Sequence, residues 1–594
     1  MEWSLFRLRH NKIPPERVPA PPRPGQDKVA KEIVERVKKG YDVIQLVAAM
    51  GAGKTAAVLM AAAELVRELG KVVYVTHTVL LAKQVERQYG CIDEYCVGDP
   101  PLRIKALVGM RNFRCPQYGV TVDKAECTKW PSRERASKFK CYMGPVTAWV
   151  PPPQGAYYIS LWKTWSDKHA YAFIPPEGEA RCPYGQQYVE ARDADVLVMT
   201  SAMFVRMYVS GLLPKVGLVI FDESQYTFLR LLIDSVVINV YTLYVQAKLL
   251  LRRLAKEGNE TAATVLRSGP SGAARDPDSF IESVLSLYTS QGLAAEMPEP
   301  LVELERMRRM AAGRVVSKCA VEGVKGKCPQ VAYYVEKYDV SRLIGAASTI
   351  LMSPPPPFDE GFMRNAGFKS PAVVEWPIPI QRPVEVVLHP RAVPVSTLKR
   401  HMIPTYKTLI AQMLVYAAAA SKNNAIVLTY STKILSDGFI PELRGMQSAT
   451  VDAWAGIDVQ KPVDMILYRA PFPNLGVPGL KRFLKKHPEL AEVLALRLLI
   501  NALRGTRAPG DESVRLYTVD ALVESLLKRA EKYFRSIKFT MASEDAVVVV
   551  DCGAGEERIK VFDMDADTLR RIFNSQCNLS LEVRKAYKEV KSES

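Results

Sequence analysis

The stretch AAMGAGKT, residues 48 to 55, decides how the rest of this 594-residue chain is read. It follows an apolar run, Val43 to Val47, and leads into AAVLMAAAELVREL, an Ala-rich segment of helical character. Strand, Gly-rich turn and helix in that order have the spacing of a phosphate-binding loop, with Ala48 at the first glycine position. Gly51 and Gly53, with Ala52 between them, let backbone N–H groups approach phosphate oxygens at the positive end of the helix. Lys54 is then placed to reach the β- and γ-phosphates of ATP, and the Thr55 hydroxyl to ligate Mg²⁺.

A second element complements the first. In VGLVIFDESQ, residues 216 to 225, an apolar strand ends in Asp222-Glu223, which puts two carboxylates at the carboxyl edge of a parallel sheet. Asp222 suits the Mg²⁺ shell and Glu223 the activation of an attacking water. Upstream, Gln26 of RPGQ is suited to the adenine edge. The strand KVVYVT ends in Thr76-His77-Thr78 before a helix that carries Gln84, an arrangement suited to a nucleic-acid backbone.

The bulk numbers agree with such a site. A chain of this length holds three or four structural units. Lys and Arg exceed Asp and Glu by 80 to 63, a formal charge of +17, which favours a polyanionic partner through counterion release. No apolar run is long enough to span a membrane, and MEWSLFRLRHNK lacks the apolar core of a secretory signal. The expectation is therefore a cytoplasmic, nucleoid-associated protein. Its ten cysteines are then more often metal ligands or inert thiols than disulfides, save in hyperthermophiles. On that exception Cys319 and Cys328, flanking VEGVKGK, can close a small loop; inert thiols are the equal alternative.

The order of these pieces resembles the XPD/DinG-type iron–sulfur helicases of superfamily 2. The resemblance rests on RPGQ, MGAGKT, the THT strand end, GMRNFRC (109 to 115) and ARCPYGQQYVEARDADVLVMTSAMF (180 to 204). It continues through DESQ in the place of DEAH, Ala347-Ser348-Thr349-Ile350, AIVLTYSTKIL (425 to 435), AWAGIDV (453 to 459), YRAPFPNLGVP (468 to 478) and LLINALRGTRAPGDESVRLYTVD (498 to 520). It implies an α/β fold of two RecA-like motor domains with an inserted iron–sulfur domain and an inserted helical arch domain. It implies nucleotide contacts by Gly456 and Asp458, and Arg504 and Arg507 bracketing the γ-phosphate from the second motor domain. Single-stranded or forked DNA is the implied partner, with movement 5′→3′, a monomeric state, and protein partners from repair or transcription. Three departures stand out: Gln225 for the usual His, Ala455 for Glu, and Ile500 for Gln. They keep a catalytically weakened nucleic-acid-binding subunit, or an RNA or R-loop remodelling ATPase, as rival readings.

The resemblance also implies a 4Fe–4S cluster held by Cys115, Cys127, Cys141 and Cys182, with Cys91 and Cys96 as competitors for a ligand place. None of these shows the short CxxC spacing usual for structural zinc, and a cubane tolerates distant ligands. Lys129, Arg133, Arg135, Lys138 and Lys140 precede Trp149, Tyr157, Tyr158, Trp162 and Trp165, a mixture suited to base stacking and equally to core packing. The expected division is motor domain 1 at residues 1–110, 183–228 and 341–378, the cluster domain at 111–182, the arch at 229–340, and motor domain 2 with a C-terminal extension at 379–594.

Overall fold

The computed structural model describes residues 25–49, 51–90, 102–129, 145–146, 156–175, 181–294, 297–321, 326–337, 339–345, 348–376, 382–394, 403–421, 424–429, 447–451, 461–471, 480–506, 511–553, 555–575, 577–582 and 587–589. The strand Val43–Ala48 is buried along its whole length, and only a parallel neighbour on each side with helices above and below can accommodate so continuous an apolar run. It pairs in parallel with Ser348–Ser353 and Pro371–Trp376. The complete sheet has seven strands, in the order Pro371–Trp376, Val43–Ala48, Ser348–Ser353, Leu218–Phe221, Val72–Thr76, Val196–Thr200 and Ile104–Leu107. Every pairing in it is parallel. Consequently the phosphate loop, Asp222-Glu223, Thr76 and Thr200 all emerge at one edge of the sheet.

Gln45, the one polar residue of the strand Val43–Ala48, is buried and bonded through both ends of its amide. Its amide donates to the Phe358 carbonyl at 2.9 Å and accepts from the Phe358 N–H at 2.7 Å. This pair pins the Pro-rich turn after Ser348–Ser353 to the strand that carries the phosphate loop.

A second seven-stranded sheet follows, in the order Gln447–Thr450, Asn424–Thr429, Val463–Leu467, Val514–Asp520, Val384–Val393, Ile537–Ala542 and Tyr587–Glu589. Its strands are parallel except the last, which is antiparallel. Separate apolar clusters cover its two faces. The architecture is thus two α/β units of mostly parallel strands, as the family resemblance implied. The tail after residue 521, which carried no recognisable motif, contributes Ile537–Ala542 to this sheet beside Val384–Val393. Tyr587–Glu589 adds the edge strand, and between the two a three-stranded antiparallel sheet forms around Val547–Asp551.

Two features depart from the sequence reading. The segment 229–340 contains helices, yet it also carries an antiparallel sheet of Ser235–Asn239, Gln330–Val335 and Val315–Val321. Its alternating burial was masked in sequence by neighbouring helical periodicity. Its basic residues also turn inward as well as outward. Arg306 is fully buried and donates to the Leu231 and Ile233 carbonyls at 3.1 and 2.9 Å. Arg309 donates to the Tyr208 and Val209 carbonyls, at 3.0 and 2.9 Å, where the helix Ser201–Val209 leaves carbonyls unpaired. Part of the positive surplus therefore serves the fold.

Candidate nucleotide site at the junction of the two sheets

The phosphate loop adopts the backbone its glycines permit. Gly51 and Gly53 have φ of 76° and 91°, values that a side chain rarely tolerates. Gly53 is the residue before the helix Lys54–Leu69, whose first N–H groups face the loop. Lys54 Nζ lies across the loop and donates to the Ala48 and Ala49 carbonyls at 2.9 and 3.2 Å. Gln26, at the start of the helix Gln26–Lys38, is buried and its Nε2 donates to the Gly53 carbonyl at 3.1 Å. Gln26 thus braces the loop from behind, whether or not it also meets a base.

On the neighbouring strands, the Tyr74 hydroxyl stands 3.5 Å from the Thr55 hydroxyl and also hydrogen-bonds Asp222. Burial, then the adjoining Glu223 charge, pushes the Asp222 carboxyl up to about 6, while Lys54 acts in the opposite direction. A buried carboxyl and a hydroxyl are hard oxygen donors of the kind Mg²⁺ takes, and a dication there restores the ionised form. By donor chemistry the site therefore fits Mg²⁺, with Thr55 and Asp222 as its holders.

Glu223 has a φ of 47°, a left-handed conformation that is costly for a residue with a Cβ. Its N–H donates to Asp222 Oδ1 at 2.9 Å, so the strained turn keeps the two carboxylates at fixed separation. Glu223 Oε2 accepts from Gln225 Nε2 and, at 2.8 Å, from Asn501 Nδ2. Asn501 belongs to the helix Pro488–Ala502 of the second unit and is fully buried. Sequence reasoning missed it because attention fell on the neighbouring Ile500. The signal was a polar residue within LLINAL, an otherwise apolar helix end.

Other contacts join the same units. Arg497, one turn before Asn501 on the same helix, donates from Nε to the Pro356 carbonyl at 2.8 Å and stacks 3.8 Å over the Phe358 ring. Lys486 donates to Asp234 Oδ2 at 2.5 Å. A cavity of about 650 Å³ opens at the junction, lined among others by His77, Thr200, Gln225 and Leu494. His77 stacks on Tyr226 with ring centroids 4.4 Å apart. Thr78 and Thr200 cap the helices Val79–Tyr89 and Ser201–Val209, their hydroxyls accepting from Leu81 N at 3.2 Å and Met203 N at 3.3 Å.

Several expected site residues fall outside the described residues: Gly456, Asp458 and Arg507 of the second unit, and Cys141, Cys91, Cys96 and Trp149. The backbone of Arg504 lies in the short turn Leu503–Thr506 that follows the Asn501 helix. Cys115, Cys127 and Cys182 are buried thiols in one apolar cluster with Leu161, Tyr184 and Tyr188. Reduced, shielded sulfur is the donor chemistry of an iron–sulfur site. Among the described residues, however, no three potential ligands are gathered as a metal group. The base of this segment is closed by a reciprocal pair: Val108 N–H donates to Gln187 Oε1 at 2.9 Å, and Gln187 Nε2 to the Val108 carbonyl at 3.0 Å.

The aromatic residues expected to stack on bases are largely internal. Trp162 is buried with its indole donating to the Leu212 carbonyl at 2.9 Å, Trp165 stacks on Tyr208, and Tyr158 packs edge-on against Tyr171 and Phe173. Among these four, Tyr157 alone is exposed. Cys319 and Cys328 form a disulfide. Cys552 and Cys577 form another, unexpected from sequence because their strands become neighbours only in the folded tail.

Residues 20–110 match the family "Type III restriction enzyme, res subunit". Among curated proteins no match is found. Solved structures similar to the chain include XPD in its apo form, 14% identical, covering 86% of this chain and 100% of that one with a TM-score of 0.44. A DEAD box protein from the hyperthermophile Methanococcus jannaschii is 11% identical, covering 86% and 92%, with a TM-score of 0.26. The Mycobacterium smegmatis helicase Lhr bound to ssDNA and AMP-PNP is 14% identical, covering 87% and 49%, with a TM-score of 0.32. The matched segment contains the phosphate loop, and the later motifs are borne on two units of mostly parallel strands.

Proposed function

We propose that this protein is an ATP-dependent DNA helicase that moves along single-stranded DNA, 5′→3′ by its family resemblance, and parts forked duplexes in repair or related processing. The observation that carries the reading is the Glu223 carboxylate, fixed beside the phosphate loop and contacted from the second sheet by Asn501. An ATPase whose general base touches both units hydrolyses according to how those units are apposed, which is what a motor requires.

The loop N–H groups and Lys54 bind the phosphates, and Thr55 and Asp222 would hold Mg²⁺, which would supply charge neutralisation to them. Glu223 accepts a proton from the attacking water as its oxygen bonds to the γ-phosphorus. The bond from that phosphorus to the bridging oxygen breaks, and its electron pair leaves on ADP. Arg504 and Arg507 are assigned to the γ-phosphate, and Gly456 and Asp458 to the nucleotide from the second unit.

Residues 111–182 are assigned to a 4Fe–4S domain, 229–340 to an arch around the strand, and the remainder to two motors with the bounds given above. Cys115, Cys127, Cys141 and Cys182 would hold the cluster, which supplies a rigid covalent staple where the duplex parts. The surplus of 17 positive charges supports a polyanionic track.

The test is phosphate release with no nucleic acid, with single-stranded DNA and with RNA, followed by unwinding of forks with 5′ or 3′ tails of each. Stimulation by DNA and opening of the 5′-tailed DNA fork are expected. Stimulation by RNA alone moves the assignment to an RNA-remodelling ATPase, and tight binding without stimulation to a binding subunit.

A further inference from the structure

The carboxamide of Asn501 does more than fill a buried position, because of where its two ends point. Nδ2 donates to Glu223 Oε2 at 2.8 Å, and the residue is fully buried. The orientation of the amide is set by charge: an ionised carboxylate accepts only, so the nitrogen must face it. Gln225 donates to the same Oε2 atom. Both amide oxygens, Asn501 Oδ1 and Gln225 Oε1, are buried, and neither has a hydrogen-bond partner among the described residues. An unpaired buried acceptor is unfavourable, and two of them beside one carboxylate mark a place built to receive donors.

The two donors have different origins. Gln225 moves with Glu223, since both sit in the turn after Leu218–Phe221. Asn501 comes from the helix Pro488–Ala502, and can reach Glu223 only while the second sheet is seated against the first. Arg497, on the same helix face, holds that seating through Pro356 and Phe358.

We infer that Asn501 is a positioning residue that makes hydrolysis conditional on apposition of the two units. Its amide fixes the Glu223 carboxylate through Oε2, and its Oδ1 is the second acceptor that orients the attacking water. When the units separate, Glu223 loses this constraint and the water loses one acceptor. The inference rests on the ATPase reading above. It also shows how the chain dispenses with a polar side chain at Ile500, which is buried in the apolar cluster of the second sheet.

The experiment compares the full-length wild type with Asn501→Ala, Asn501→Leu and Asn501→Gln. The readouts are kcat and KM for ATP with saturating single-stranded DNA, the affinity for a fluorescent ADP analogue, and the thermal midpoint. Asn501→Leu keeps the buried volume and guards against a misfolded Ala variant. The expected result is a loss of about 10- to 100-fold in kcat for Ala and Leu. KM and nucleotide affinity should stay within about threefold, and Gln should recover part of the rate. A kcat within about twofold of wild type in a folded Leu variant overturns the inference. So does a parallel fall in affinity and thermal midpoint, which marks a merely structural role. If the wild type hydrolyses no ATP, the ATPase reading fails and takes this inference with it. If the wild type turns over and the variants equal it, only the role of Asn501 fails.

Discussion

Glu223 and Asn501 lie 278 residues apart in the chain and share a hydrogen bond of 2.8 Å, carboxylate to amide, across the junction of two parallel sheets. The left-handed turn at Glu223 fixes one end of this bond and a fully buried helix fixes the other. Fixed polar groups of this kind need no reorganisation at the moment of reaction, which is the source of their catalytic value.

Glu223→Gln should therefore separate binding from turnover. The loop, Lys54 and Thr55 are untouched, so nucleotide affinity should persist, while phosphate release falls by about 10²- to 10⁴-fold. The new amide also meets Gln225 and Asn501, whose donors then face a weaker acceptor. Stopped nucleotide binding and steady-state phosphate release measure the two effects independently.

Lys54→Ala should act on binding and turnover together. Its ammonium, now on the Ala48 and Ala49 carbonyls, is the cation nearest the phosphate position on this loop. Loss of about 10²- to 10³-fold in kcat is expected from removing such a group. The circular-dichroism melt should stay close to wild type because the side chain is not part of an apolar core.

His389 gives a pH dependence of stability far from the cleft. The ring is buried, its Nδ1 accepts from Arg391 N–H at 3.0 Å, and its Nε2–H donates to Gln412 Oε1 at 3.1 Å. Burial pushes the imidazole down to about 4; the Gln412 bond opposes this shift and the Arg391 charge adds to it. Because the folded value lies below the unfolded one of about 6.5, the contribution is complete above pH 6.5 and is lost as pH falls towards 4. The total is about 3 kcal/mol. Urea midpoints measured across that window should fall for the wild type and change less for His389→Gln, which carries no proton in this range.

The disulfide Cys552–Cys577 closes a loop of 25 residues within the C-terminal sheet. Chain-entropy arguments give such a closure about 3 kcal/mol. Cys552→Ser should lower the thermal midpoint under oxidising conditions and converge with the wild type under reductant. Turnover at moderate temperature should be unaffected, since Cys552 and Cys577 flank strands of the small C-terminal sheet and not the strands that carry the phosphate loop and Glu223.

Cys182 precedes the helix Pro183–Glu190, and its thiol is buried, as are those of Cys115 and Cys127. For Cys115→Ser or Cys182→Ser, iron per chain and the visible absorbance of the protein should drop together. Fork opening should fall far more than nucleotide binding. Iron-free wild-type protein with full unwinding would remove the cluster from the assignment.

Much of this was legible in one dimension because it is local. AAMGAGKT needs only a strand, two positive φ angles and a helix start, and those follow from Gly51, Gly53 and the Ala-rich run after them. The carboxylates of Asp222-Glu223 are likewise placed by the apolar strand that precedes them. What only the folded chain decided is which distant groups meet. Asn501 is a polar residue in an otherwise apolar helix end, Gln45 a polar residue in a buried strand, and Arg306 and Arg309 are cations on one helix of the 229–340 segment. Each is explained by a carbonyl, carboxylate or amide contributed from elsewhere in the chain. Trp162 and Trp165 suited base stacking and core packing equally in sequence, and the fold uses both for packing, against Leu212 and Tyr208. Periodicity and motif spacing report the conformation of a segment, whereas hydrogen-bond satisfaction of buried polar groups is settled by long-range packing. The chemistry at Glu223 depends on both.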